Sequence, residues 1–152
     1  MKVEYVNPFI KATHETFKKM MMVDLEVGSP LKHKNRLDHF YVSSNIGLSG
    51  EAQGVISLCY TSDSAYAYVA RFVGSDQSVS ENEMIDGIGE IVNIVAGYAK
   101  NFLTQFSIDI SLPNVVLGDD HGVWFPKGTD SIVVPLNSGI GRFAMEVALK
   151  TP

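Results

Sequence analysis

Apolar residues recur at Met84, Ile88, Ile91, Val92, Val95, Ala99, Phe102, Leu103 and Phe106. At about 100° per residue they fall on one stripe, which predicts a helix over residues 80 to about 106 with that stripe on the core side. Ser80 followed by Glu83 is a capping-box signature and marks the start. Asp86, Glu90, Asn93, Gly97 and Lys100 fall on a second stripe on the opposite side. A carboxylate and an amide three residues apart are surface neighbours, so Glu90 and Asn93 can touch one target together. The residue choice is costly for a helix. The Asn amide competes for backbone hydrogen bonds, and each Gly costs ~1 kcal/mol against Ala. Yet Gly87, Gly89, Asn93 and Gly97 all lie inside the predicted element. Such a helix is either packed very closely or shaped to meet a partner.

The same reading extends along the chain. Asn7-Pro8 predicts a helix start, with Asn7 as cap and Pro8 at the first helical position. Phe9, Ala12, Thr13, Phe17, Met20 and Met21 form its apolar face, and core filling is the reading for Met20-Met21-Met22. A short strand over 23–27 ends at Gly28-Ser29-Pro30. Strands over 40–49 and 55–60 form a hairpin, the second with burial on both faces. Thr61-Ser62-Asp63 caps a helix from about 63 to 73, and Gly74 stops it. Residues 108–117 have strand composition, with Pro113 allowed only at an edge or bulge. A tight turn over 118–122, a short strand over 123–125 and a turn over 127–130 follow. The last strands span 131–137 and 142–150. In the final one Phe143, Met145, Val147 and Leu149 alternate with Ala144, Glu146 and Ala148, so one face is the more strongly apolar. This order predicts an α+β fold, an antiparallel sheet with long helices packed on it, in one domain over 1–152. A sheet of this kind leaves an edge that must be paired, covered or charged, and the C-terminal strands are candidates for it.

Composition narrows the function. The 152 residues are 45% hydrophobic and 19% charged, enough for a real core. A net charge of −5 argues against a nucleic-acid surface. The one basic run, residues 32–39, is short and lacks aromatics, which fits a solvated loop. Cys59 is the sole cysteine, so neither an internal disulfide nor a thiolate zinc site is available. His14, His33, His39 and His121 are scattered without metal-ligand spacing, so no metal of its own is expected. No run approaches the ~20 apolar residues of a membrane span, and the start lacks a signal-peptide pattern. A cytoplasmic protein is the expectation.

Three stretches invite chemistry. Asp119-Asp120-His121 pairs carboxylates with an imidazole, but between Gly118 and Gly122 these are ordinary turn residues. Gly47-Leu48-Ser49-Gly50 lacks the Lys-Ser/Thr and the helix of a phosphate loop, and reads as a bend in a strand. The third is Asp86, Glu90 and Asn93. A solvated helix face is the plain account of the charges. The Asn goes further: an amide both donates and accepts, so it can hold a water in line with an electrophile. That suits hydrolysis at a phosphoryl group whose charge another protein's metal and lysine neutralise. A carboxylate three residues away can grip that lysine.

Asp86-x3-Glu90-x2-Asn93, continuing to Gly97, resembles the active-site helix of the CheC/CheX/FliY family of chemotaxis phosphatases. Asn7-Pro8-Phe9-Ile10, Ile46-Gly47-Leu48-Ser49-Gly50, Leu112-Pro113 before Val115-Val116, and Ile132-Val133-Val134-Pro135 resemble the CheX branch, so the likeness covers nearly the whole chain. The resemblance implies a CheC-like fold and dephosphorylation of the phosphorylated response regulator CheY. It implies that Glu90 engages a receiver-domain lysine and that Asn93 positions the attacking water. Asp86 matches the more variable first position of the motif, and Gly97 belongs to the same partner-binding face. Mg²⁺ is expected from the receiver's acidic pocket. CheC and FliY relatives carry two such helices where this chain has one, and CheX relatives form homodimers. The alternative from another class is a non-catalytic adaptor that docks the same helix on a receiver and reports its state.

Overall fold

The computed structural model describes residues 2–32, 40–119, 125 and 127–152. Its elements run α1 (Val3–Met21), β1 (Glu26–Val27), β2 (Leu31–Lys32), β3 (Val42–Gly50), β4 (Gln53–Tyr60), α2 (Ser62–Phe72), α3 (Glu81–Phe102), β5 (Ile108–Ile110), β6 (Asn114–Leu117), β7 (Ser131–Asn137) and β8 (Arg142–Lys150). The strands form one antiparallel sheet in the order β1-β7-β8-β4-β3-β5, with β2 also on β7 and β6 also on β3. The expected α+β architecture is the one observed. The C-terminal strands, however, are not the edge. β8 lies in the middle, between β7 and β4, and β7 is flanked by β1 and β2. The long apolar alternation of β8 fits a central position, because both its faces are buried from Phe143 to Leu149. The edges are instead short and interrupted: β1 with β2 on one side, β5 with β6 on the other.

The hairpin β3–β4 and the strands β7 and β8 agree with the apolar pattern. Gly50 ends β3 at φ +105°, and a Cβ there would stand 2.5 Å from the Ser107 carbonyl, so the hairpin corner needs glycine. The strand composition over 108–117 resolves into two strands. Pro113 has no N–H for a ladder bond, so pairing with β3 stops at β5 and resumes at β6.

α2 starts at Thr61, whose hydroxyl accepts the Ser64 N–H at 3.2 Å. It stops at Gly74 (φ +70°), where Gly74 and Ser75 N–H groups return to the Arg71 and Ala70 carbonyls. α1 differs from its sequence reading. It begins at Val3, so Asn7 is not its cap and Pro8 lies inside. The extra turn is held by packing: Val6 is 1% exposed, and the Tyr5 ring lies 5.6 Å from that of Phe106. Only Met21 of the methionine run fills the core. Met20 is exposed, and Met22 caps the helix in a left-handed conformation, 83% exposed.

The core lies between the helices and one face of the sheet. Val42, Ile46, Ile56, Leu58, Met145 and Val147 meet the apolar sides of α1, α2 and α3 there. The other face is buried too, with small residues and a minor cluster of Phe40, Cys59, Val133 and Ala144. Glu146 on that face accepts the Ser131 hydroxyl at 2.9 Å.

Candidate functional site

α3 is built as its sequence pattern predicts at the start and ends one turn early. The Ser80 hydroxyl accepts the Glu83 N–H, and the Glu83 carboxylate accepts the Ser80 N–H, each at 3.1 Å. Hydrogen bonding to the carboxylate from Ser80, its backbone N–H first and its side chain second, holds the Glu83 carboxyl below its ordinary range. At the other end Leu103 leaves helical geometry, with its N–H shared between the Ala99 and Lys100 carbonyls. Leu103 stays buried and Phe106 packs against the core, so the apolar stripe outlasts the helix. Met84, Ile88, Ile91, Val92, Val95 and Ala99 are all fully buried. The helix lies across β3 and β4, with α1 along one flank and α2 along another.

The opposite strip is open. Asp86 and Glu90 are exposed; Asn93 and Gly97 are partly buried. Among the described residues, none of the three polar side chains has a hydrogen-bond or ion-pair partner. Glu90 and Asn93 stand one turn apart on a helix fixed along its whole buried side, so their backbones are set before any partner arrives. The glycines divide by role. A Cβ on Gly87 would meet Val69 Cγ1 of α2 at 2.5 Å, so Gly87 permits a close helix crossing. On Gly89 it would meet Pro113 and Val115 at an ordinary 3.7 Å. On Gly97 it would meet nothing within 4 Å. Close packing therefore accounts for Gly87 and leaves Gly97 unexplained within the chain.

The other candidates divide similarly. Gly47-Leu48-Ser49-Gly50 is the end of β3, as expected of a bend in a strand. Asp120 and His121, the strand expected over 123–125 and all but Lys32 of the basic run fall largely outside the described residues. Among the described residues no three His, Cys, Asp or Glu side chains stand together as metal ligands, and no helix is long and apolar enough to cross a membrane. One neighbour of the strip entered the sequence reading only through the family likeness. Leu112, 88% exposed, precedes the proline that stands beside Gly89. Its apolar character read as strand, and only the break at Pro113 gave a hint.

An open strip of two carboxylates and an unpartnered amide thus lies along one helix of this α+β sheet. The family model described as "Chemotaxis phosphatase CheX" matches residues 42–137, from the start of β3 to the end of β7. The chain belongs to this CheX family. It is 27% identical over 79% of both chains to the CheY-P phosphatase CheX of Thermotoga maritima. The crystal structure of chemotaxis protein CheX from Desulfovibrio desulfuricans superposes with a TM-score of 0.88 at 27% identity, covering 97% of this chain and 100% of that one. The fold is also that of the CheX–CheY–BeF3–Mg²⁺ complex from Borrelia burgdorferi, with a TM-score of 0.79 at 23% identity over 98% and 99% of the two chains.

Proposed function

We propose that this chain is a protein aspartyl-phosphate phosphatase that dephosphorylates a phosphorylated CheY-like receiver domain in chemotaxis signalling. The observation that carries the reading is the pair Glu90 and Asn93, unpartnered and one turn apart on the open strip of α3. The Asn93 amide has no accessible pKa and cannot be a base. Its oxygen accepts a hydrogen bond from a water and its nitrogen donates one, which orients that water in line with the phosphorus. Glu90 takes a receiver lysine and so fixes the receiver's phosphoryl group over Asn93. Asp86 and Gly97 complete the contact face, one by charge and the other by leaving room for the receiver backbone. Charge on the transferring phosphoryl group is neutralised by Mg²⁺ in the receiver's own acidic pocket. The family assignment and the phosphatase name of the Thermotoga maritima relative support this reading. So does the composition of the Borrelia burgdorferi complex, since BeF3 is a tetrahedral mimic of a phosphoryl group.

The protein acts in the cytoplasm as a single-domain homodimer in this reading. The dimer is supported by the exposed edge β1–β2, where Glu26, Val27, Leu31 and Lys32 all face solvent. The alternative is an adaptor that docks the same strip without turnover. Loss of phosphate from a radiolabelled phospho-receiver of the same organism, with and without this protein, separates the two: acceleration supports the phosphatase, and binding without acceleration supports the adaptor.

A further inference from the structure

Leu112 has the highest exposure of any large apolar side chain among the described residues, at 88%. It stands in the three-residue link between β5 and β6, and that link is fastened on both sides. The Ser111 N–H donates to the Gly47 carbonyl at 2.9 Å. The Ser111 hydroxyl accepts the Gly47 N–H at 2.8 Å and donates to the Leu112 carbonyl at 2.9 Å. The Asn45 amide donates to the Asn114 carbonyl at 3.3 Å. Pro113 restricts the backbone of Leu112 before it and stands close enough to α3 that a Cβ on Gly89 would lie 3.7 Å from its ring. A full-sized apolar side chain is thus presented to water from a fixed backbone. Gly89, its neighbour through Pro113, directly precedes Glu90 and is one turn from Asn93.

We propose that Leu112 is a docking residue for the phosphorylated receiver domain, an apolar contact beside the acidic strip that sets affinity and leaves the chemistry alone. This rests on the phosphatase reading above, and the occupant follows from continuity. Pro113 stands beside Gly89, and Asn93 lies one turn further along the same side of α3, so a partner near enough for Asn93 to reach its phosphoryl group also covers the flank at Pro113. The receiver must then offer an apolar patch beside its acidic phosphorylation pocket. Because the backbone at Leu112 is already fixed, little ordering cost offsets the gain from burying it.

The test is single-turnover decay of the phospho-receiver over a range of protein concentrations, for the parent, Leu112→Ser and Leu112→Met. Burial of a leucine side chain corresponds to a roughly 10- to 100-fold change in affinity. Leu112→Ser raises the half-saturating concentration by that factor, with the rate at saturation and the thermal midpoint unchanged, and Leu112→Met restores most of the loss. An unchanged half-saturation in Leu112→Ser, with an active parent, overturns the docking role and leaves the phosphatase reading standing. If the parent binds a BeF3-treated receiver without hydrolysing phospho-receiver, weaker binding by Leu112→Ser supports the docking role although the phosphatase reading fails. If the parent does not bind, both are overturned.

Discussion

Replacing Gly87 and Gly97 separately by Ala applies the same chemical change to two positions of α3 with opposite consequences. Both gain the helix preference of Ala over Gly, worth ~1 kcal/mol. At Gly97 nothing lies within 4 Å of the new methyl group, so that gain is kept. At Gly87 the methyl group would stand 2.5 and 2.9 Å from the two γ-carbons of Val69, which is fully buried and, being β-branched, has little rotamer freedom to yield. Overpacking of this kind costs about 1–3 kcal/mol, which exceeds the helix gain. Thermal unfolding should therefore move up for Gly97→Ala, by ~2–4 °C for a chain of this size, and down for Gly87→Ala. The phosphatase assay adds the second half. If the receiver approaches the strip closely at Gly97, the more stable Gly97→Ala protein needs roughly tenfold more receiver for half-maximal rate. A lower midpoint for Gly97→Ala, or a higher one for Gly87→Ala, would refute the packing argument. A raised midpoint with unchanged half-saturation would remove Gly97 from the contact face.

Glu90→Ala should weaken docking by the ~1–3 kcal/mol typical of a charged hydrogen bond, seen in a binding titration against a BeF3-treated receiver, with folding unaffected because Glu90 is exposed. Retained affinity would take the lysine contact away from it. Sedimentation at micromolar concentration should give a dimer; a monomer would count against pairing of the exposed β1–β2 edge.

The long helix was legible because two independent local signals agreed, a capping box at Ser80 and an apolar stripe that packing then used. The hairpin and the last two strands were legible from their apolar runs and the turn residues that bound them. What stayed hidden depends on contacts distant in sequence. Nothing local marks Leu31-Lys32 as a strand; it becomes one by lying against Val133 and Ile132 of β7. The start of α1 was misplaced because Asn7-Pro8 is a strong local cap signal, while the extra turn is held by Tyr5 on Phe106, a partner far along the chain. The edge was misassigned for the same reason: β8 ends the chain but pairs with β4 and β7 at the centre. The shared helix face of Glu90 and Asn93 was readable without the fold, because their spacing alone makes them surface neighbours. The exposure of Leu112 was not readable, since it depends on how the sheet edge meets α3.

The central claim is that Asn93 places the attacking water. Single-turnover decay of the phospho-receiver at saturating Asn93→Ala measures this most directly, paired with a binding titration of the same variant. Its contribution belongs to the transition state, so docking should be kept while the rate falls by ~10²-fold or more. Asn93→Ala hydrolysing as fast as the parent protein would contradict the account.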